Sequence, residues 1–533
     1  MRPRNFLNVA LLLAGWLLIP AAPGPAQAAE SVCSGRKVEA IAATCSRLLR
    51  HEGRFVFAGG TPAVARRLAS IQDRFLQAWR AAEAGDTGEC AAQTASAEAA
   101  WTLLGERIAG VLGRAPTPIC QRRLARTLSR ACRSWATMVW PDSERSNDMA
   151  TRRAQRLDRR VEKRWLRSDC PSPAVSAVQD LARGLGGFVA GLGTRRSIAD
   201  LATAAGVRFG AAVEPGEVAG DATYESLVVR ETNSLTAENV MKWGPIHPQA
   251  DAWNFGPADA VVSRAHANSM RIRGHTLVWG GSQIASYVQN ISDRDSMLDR
   301  MQEHIDGVVG RYAGQIEQWD VVNEPLPSVV DPPTSDGLDD NVFRRVVGPD
   351  YIAYAFHFAH AADPDALLFL NDNGILLPGA RQDRFVALVE ELLADGVPLH
   401  GIGVQGHIGL TPPAAYPTRQ QVAASIRRFA ELGLLVEITE LDVVTLFLST
   451  EGNARALPLQ QAVLYSDVVG ACLENTACTG ITTWGLGDHL SWVRTFFGLP
   501  DDPLLFLEDW TRKPAYFAVR AEFAAAERRQ RLR

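Results

Sequence analysis

The sequence predicts an α/β protein whose main body is a (β/α)8 TIM barrel, preceded by a smaller, disulfide-stapled all-helical domain. Three observations predict it. Between about 195 and 525, short apolar runs alternate with amphipathic helical stretches eight times over. Between about 30 and 170 the apolar residues recur at helical spacing, and six of the eight cysteines fall there. The charge changes sign between the two parts: residues 29–170 hold 25 Lys plus Arg against 15 Asp plus Glu, and residues 171–533 hold 28 against 44. A chain of 533 residues with 47% hydrophobic content is long enough for two such bodies.

The first 28 residues read as a secretory signal. Arg2 and Arg4 precede the apolar stretch Phe6 to Ile19, and Ala26-Gln27-Ala28 supplies small residues for cleavage. A secreted or periplasmic protein follows, with no membrane span once the signal is removed. Cys33, Cys45, Cys90, Cys120, Cys132 and Cys170 suit an oxidising compartment and form up to three bridges in an order the sequence leaves open. In residues 29–170 the stretch "RRLASIQDRFLQAWRAAEA" places Leu68, Ile71, Phe75 and Trp79 on one helix face. About four or five helices are expected there. Two roles are open for this basic domain: contact with an acidic polymer or cell surface by long-range attraction, or a cap on the acidic body that follows. An exported protein is a poor candidate for nucleic-acid binding. Residues 171–194, partly helical and ending Gly-rich, read as a linker.

The barrel spans 195–525, with 526–533 as a tail. Its strands are expected at 209–213, 233–239, 271–279, 315–324, 367–373, 401–407, 434–442 and 480–485. Stretches such as "ADAVVSRAHANS" and "RQDRFVALVEELLADG" supply the intervening helices. A doubly wound open sheet is the alternative fold, but the Gly-rich first turn it calls for is missing.

Active residues of such barrels gather at the C-terminal ends of the strands. There the sequence sets Glu238 and Asn239, His275 and Trp279, Asn323 and Glu324, Asn371, Gln405 and His407, Glu440 and Asp442, and Trp484. A polar residue at one strand end simply meets solvent; a polar or aromatic residue at seven of them points to a site. Glu324 in the fourth strand and Glu440 in the seventh stand on opposite rims, where a carboxylate pair can flank a glycosidic bond. Trp243, Trp279, Trp484 and Trp492 offer faces for sugar rings. Such cleavage needs no cofactor, and no metal or nucleotide motif is evident. Glu437, three residues before Glu440, is expected on the opposite strand face, at the surface or between layers.

The blocks "TAENVMKW", "RGHTLVW", "QWDVVNEP", "GIGVQGHIGL", "ITELDV" and "TTWGLGDHLSW" resemble the signature blocks of glycoside hydrolase family 10, the retaining endo-β-1,4-xylanases, in order and approximate spacing. The resemblance implies that Glu324 is the acid/base and Glu440 the nucleophile. It gives Asn323, His407 and Asp442 supporting roles. It also implies substrate-binding roles for Glu238, Asn239, Lys242, His275, Trp279, Gln283, Gln405, Trp484 and Trp492, the last two tryptophans crowding out a hydroxymethyl group. Cys472 and Cys478 match a pair that many members close as a disulfide. The implied partner is β-1,4-xylan or a related plant cell-wall polysaccharide; another β-1,4-glycan, short xylo-oligosaccharides or a non-catalytic sugar-binding barrel are the alternatives. Departures put leaving-side affinity and substrate length preference in question. "HTLVWGGSQ" carries one residue more than the family pattern and lacks its second histidine, Asn373 stands where tyrosine is usual, and Tyr287 where tryptophan is common. Gln283 keeps its role only if Gly280-Gly281 absorbs the insertion.

Overall fold

The computed structural model describes residues 36–50, 62–84, 97–113, 123–129 and 196–531, apart from 329–333, 411–415 and 449–456, with a few single positions elsewhere before 196. The expected signal, and all of the expected linker but Phe188, lie outside the described residues.

Eight parallel strands form among the described residues: β1 Arg208–Val213, β2 Ser234–Ala237, β3 Arg271–Trp279, β4 Gln318–Asn323, β5 Leu367–Asp372, β6 Gly401–Val404, β7 Leu435–Val443 and β8 Cys478–Thr483. Each pairs with the next along the chain, and β8 returns to β1 in a register from Arg208 opposite Gly480 to Ala211 opposite Thr483. The sheet therefore closes, and the open doubly wound alternative falls away. Helices on one face and lumen side chains on the other bury the strands twice over, which is why they read as near-continuous apolar runs. A two-residue extension, His407–Ile408, pairs with the end of β7, His407 lying opposite Asp442.

Ladder registers shift in β3, β4 and β7, and the shifts in β7 and β4 bear on the site. Glu437 is not at the surface or between layers. Its carboxylate accepts hydrogen bonds from Arg208 (2.6 Å), Arg273 (2.9 Å), Gln318 (2.7 Å) and Thr479 (3.0 Å), which come from β1, β3, β4 and β8, so it lies in the lumen. The β7–β8 ladder slips between Ile438 and Leu441. A bulge of this kind resets the strand's phase, so Glu437 and Glu440 both face inward. In β4 the ladder with β5 slips between Asp320 and Val322, and Asp320 and Asn323 are both buried. Arg273 joins the two floors of the barrel, gripping Asp320 on one side and Glu437 on the other.

The helix Pro514–Arg531 continues past 526, with Ala526, Glu527 and Arg529 buried. The residues expected as a tail thus belong, through Arg531, to the last helix of the barrel. Cys472 and Cys478 form a disulfide, Cα to Cα 5.2 Å, just ahead of β8.

In the N-terminal part, helices occupy 36–50, Pro62–Glu83, Ala97–Gly113 and 123–129. Ile71, Phe75 and Trp79 are buried as their spacing predicts, whereas Leu68 is exposed. Lys37 Nζ donates to Glu83 (2.7 Å) and lies 4.8 Å over the Trp79 ring, so this buried lysine is neutralised inside the helical core. Cys45 and Cys120 are both in disulfides. The helix Ala97–Gly113 reaches the barrel flank through Arg107, whose guanidinium lies 3.3 Å from Glu522 and 3.7 Å from Glu474. Phe188 covers that guanidinium from 5.5 Å. Arg419 meets the same two carboxylates from the barrel side, and Ser466 Oγ donates to Glu522 (2.7 Å). Glu522 is fully buried, so each cation matters for its charge. Replacing Arg107 by Met is expected to cost about 2 kcal/mol of stability, less than an unshared buried pair because Arg419 remains. Urea unfolding would measure this, and activity per folded molecule should not change.

Candidate active site

The mouth of the barrel gathers the residues that the sequence singled out. Glu238 and Asn239 follow β2, His275 and Trp279 lie in β3, Asn323 ends β4, Gln405 follows β6, Glu440 and Asp442 lie in β7, and Trp484 follows β8. Trp492 opens the short helix Trp492–Phe497.

Glu324 leaves its strand with φ +56°, in the left-handed region. That region costs an ordinary side chain roughly 1–2 kcal/mol. The turn is held by its own amide, which donates to the Asn371 carbonyl (2.8 Å), and its carboxylate is fixed at both oxygens. Trp279 Nε1 donates to Oε2 (2.8 Å) and Gln405 Nε2 to Oε1 (2.8 Å). Strain of this kind, over-determined by neighbours, marks a positioned group.

Glu440 is held differently. Asn371 Nδ2 donates to Oε1 (2.7 Å), and His407 Nε2 lies 3.3 Å from Oε2. The other face of His407 meets Asp442, Nδ1 to Oδ2 2.9 Å, and Trp492 Nε1 donates to the same oxygen (2.9 Å). Burial would lower the His407 pKa, but the charge and hydrogen bond of Asp442, with those of Glu440, raise it to about 10. An imidazolium therefore sits between two carboxylates. Burial would raise the Glu440 carboxyl, yet the His407 hydrogen bond, the charges of His275 and His407 and the Asn371 amide together hold it below the ordinary range. Glu440 is kept ionised in a buried place.

One polar chain links the two carboxylates. Asn323 Oδ1 accepts from Asn371 Nδ2 (2.8 Å) and from Gln405 Nε2 (3.2 Å). The path Glu324–Gln405–Asn323–Asn371–Glu440 thus runs across the mouth without a break. Thr439 Oγ1 donates to Asn371 Oδ1 (2.7 Å), fixing the sense of that amide. His275 is anchored through Nδ1 to Asp320 (3.0 Å); burial would raise the Asp320 carboxyl, but Arg273 and His275 hold it low.

Beside this pair lies a second polar group. Lys242 Nζ donates to Asn239 Oδ1 (2.9 Å) and sits over Trp279 (5.0 Å) and Trp484 (6.0 Å). Gln283 Nε2 donates to the same Asn239 oxygen (2.7 Å), so the inserted residue does not displace it. The two glycines absorb it: a Cβ on Gly281 would lie 2.1 Å from the Trp279 indole, and one on Gly280 would lie 2.2 Å from Asn341 Cβ. Burial, then the charge of Glu214, pushes the Glu238 carboxyl up to about 8 despite Lys242. Trp484 stands edge-on to His275 (5.2 Å, 77°) and His407 (6.4 Å, 89°).

Trp243 is not at the mouth. It is buried, stacked on His304 (3.8 Å, 3°), and its Nε1 donates to Tyr287 Oη (2.9 Å). An indole spacing alone does not separate core from platform. Tyr287 is thereby turned to the core side. Asn373 lends its backbone to Asp372 and Arg381. Burial drives the Asp372 carboxyl up to about 7 against the pull of Arg381, whose Nη2 donates to it (2.7 Å). Asp320, Thr439, Asp372 and Glu214 carry no role in the sequence reading, and Asn371 appears there only as a strand end. The available signal was a polar residue within or just after an apolar strand. Among the described residues, no group of three or more His, Cys, Asp or Glu side chains is placed to hold a metal ion.

Comparison with known proteins agrees with this geometry. Residues 197–522 match the family model described as Glycosyl hydrolase family 10. The chain is 40% identical over 310 residues to a Beta-1,4-xylanase of Dictyoglomus thermophilum, covering 56% of this chain and 83% of that protein. It is 37% identical over 325 residues to an Endo-1,4-beta-xylanase of Geobacillus stearothermophilus, covering 58% and 94%. Among solved structures, xylanase 10B from Thermotoga petrophila RKU-1 in complex with xylobiose aligns with a TM-score of 0.56 at 34% identity, over 62% of this chain and 98% of that one. A closed parallel barrel, a linked carboxylate pair at its mouth and a family match over 197–522 converge: the chain belongs to glycosyl hydrolase family 10.

Proposed function

We propose that this protein is a secreted, retaining endo-β-1,4-xylanase that cleaves internal linkages of xylan by double displacement. The observation that carries the reading is the continuous polar path from Glu324 to Glu440, with Glu440 held ionised by His407.

In the first step a Glu440 oxygen bonds to the anomeric carbon while the carbon–oxygen bond to the leaving sugar breaks. Glu324 gives its proton to that leaving oxygen. In the second, water attacks the anomeric carbon, Glu324 takes the water's proton, and the ester to Glu440 breaks. The anomeric carbon inverts twice, so configuration is retained. Because Asn323 Oδ1 already accepts two protein donors, its Nδ2 is the group left to donate to the sugar 2-hydroxyl, a bond that strengthens as oxocarbenium charge develops. Trp484 and Trp492 press on the ring being cleaved and leave little room for a hydroxymethyl group, which favours pentose over hexose. Glu238, Asn239, Lys242, His275 and Gln283 take the glycone side.

In this reading the helical domain expected over 29–170 caps, through Arg107, a catalytic barrel that runs from about 195 through Arg531. With Arg107 paired in this way, a structural role is favoured over docking on an acidic polymer.

Reducing-sugar release from xylan, from mixed and β-1,4-glucan and from mannan tests the reading. Xylan should be cleaved with internal cuts and the hexose polymers left nearly intact. Preference for a glucan, or binding to every polymer without release, would overturn it.

A further inference from the structure

Glu214 directly follows β1 and stands at the N-cap of the helix Pro215–Gly220, yet its side chain makes no capping hydrogen bond. It turns instead to Asn239, whose Nδ2 donates to Glu214 Oε1 at 2.7 Å. The other end of that amide, Oδ1, accepts from Lys242 Nζ (2.9 Å) and from Gln283 Nε2 (2.7 Å). Asn239 is therefore clamped between an acceptor-only carboxylate and a donor-only ammonium, and neither rotation nor an amide flip is open to it. The consequence passes outward. Gln283 could present either end of its amide, but with Nε2 committed to Asn239 it offers Oε1. Lys242 commits one N–H to Asn239, which places its charge over Trp279 and Trp484.

We propose that Glu214 is a positioning residue of the glycone side: by fixing the Asn239 amide it sets the donor and acceptor pattern with which Lys242 and Gln283 grip the sugar next to the one being cleaved. This inference rests on the xylanase reading above. The general basis is that binding groups need a supporting layer that locks their orientation. Glu214 is half-buried, so its bond to Asn239 is partly sheltered from water.

The experiment uses the full chain and two substrates, an aryl β-xyloside and the aryl β-xylobioside that adds one sugar on the glycone side. The readout is the gain in kcat/KM from that second sugar. Glu214→Ala should forfeit about tenfold of the gain, carried in KM, because a hydrogen bond to a charged group is lost and the binding groups relax. Glu214→Gln should keep most of it, since the glutamine oxygen still accepts from Asn239. Thermal midpoints of the two variants should agree with each other. The assignment is overturned if both substrates lose equally, if Gln is as poor as Ala, or if the gain is untouched. Failure of the xylanase reading looks different: the wild-type chain would turn over neither glycoside.

Discussion

Glu440→Ala should lower kcat on an aryl β-xylobioside by on the order of 10⁴-fold or more, with KM little changed. The loss belongs to the chemical step, because in this reading the carboxylate forms the bond to the anomeric carbon, and its protein partners Asn371 and His407 serve to hold it for that step. The methyl group leaves room beside the anomeric carbon for a small anion. Azide should therefore restore turnover and give the α-glycosyl azide, having attacked from the side where Glu440 stood. Glu324→Ala should behave in a contrasting way. A nitrophenolate leaves without a proton, so the first step survives and the glycosyl-enzyme accumulates as an early burst. Azide then resolves that intermediate to the β-glycosyl azide. Xylan, whose leaving sugar needs protonation, should suffer in full from either change. Product analysis by mass spectrometry and proton NMR checks both; azide products of the opposite configuration would exchange the two roles.

The second large effect concerns His407. Its imidazolium lies between Glu440 (3.3 Å) and Asp442 (2.9 Å), and without it two buried carboxylates face each other. His407→Asn should lower kcat by about 10²-fold, comparable to losing one donor from a preorganised charge-stabilising site. The pH dependence of stability gives an independent check. Folding raises the His407 pKa from 6.5 to about 10, chiefly through Asp442 acting against burial. A raised pKa contributes stability that is whole below about 6.5, shrinks as pH rises because the unfolded chain has released its proton, and is gone above about 10. Glu440 runs the other way: its pKa is depressed, so its contribution is present above the ordinary carboxylate value and fades on acidification. Urea unfolding from pH 6.5 to 10 should show stability falling in the wild type and a flatter curve in His407→Asn. An unchanged slope would mean that His407 is not the group that carries the charge.

The barrel was legible because each of its strands is a short, doubly buried apolar run, seven of them with a polar or aromatic end, and because the Gly-rich first turn of the alternative open sheet is missing. That Glu324 and Glu440 meet at the barrel mouth was legible for the same reason. Other features depend on events that residue order does not encode. Glu437 entered the lumen because β7 slips by a bulge, which no alternation rule foresees. Trp243 went to the core because His304 offers it a flat partner 61 residues away, and only folding brings the two rings to 3.8 Å. Arg107 found Glu522 across more than four hundred residues, so a basic domain that looked ready for an outside polymer has at least one of its charges tied to its own barrel. The Gly280-Gly281 pair is an intermediate case. Two glycines at an insertion suggest close backbone approach, but the Trp279 indole they admit appears only in three dimensions.

The most direct measurement is to incubate the enzyme with a 2-deoxy-2-fluoro-β-xylobioside bearing a dinitrophenyl leaving group. Fluorine slows both steps and the reactive leaving group restores the first, so any covalent glycosyl-enzyme should accumulate. Peptide mapping by mass spectrometry should then find one sugar adduct, on the peptide that carries Glu440, with activity returning as the adduct turns over. An adduct on another side chain, or turnover of the unmodified glycoside to the inverted anomer with no adduct at all, would contradict double displacement by Glu324 and Glu440.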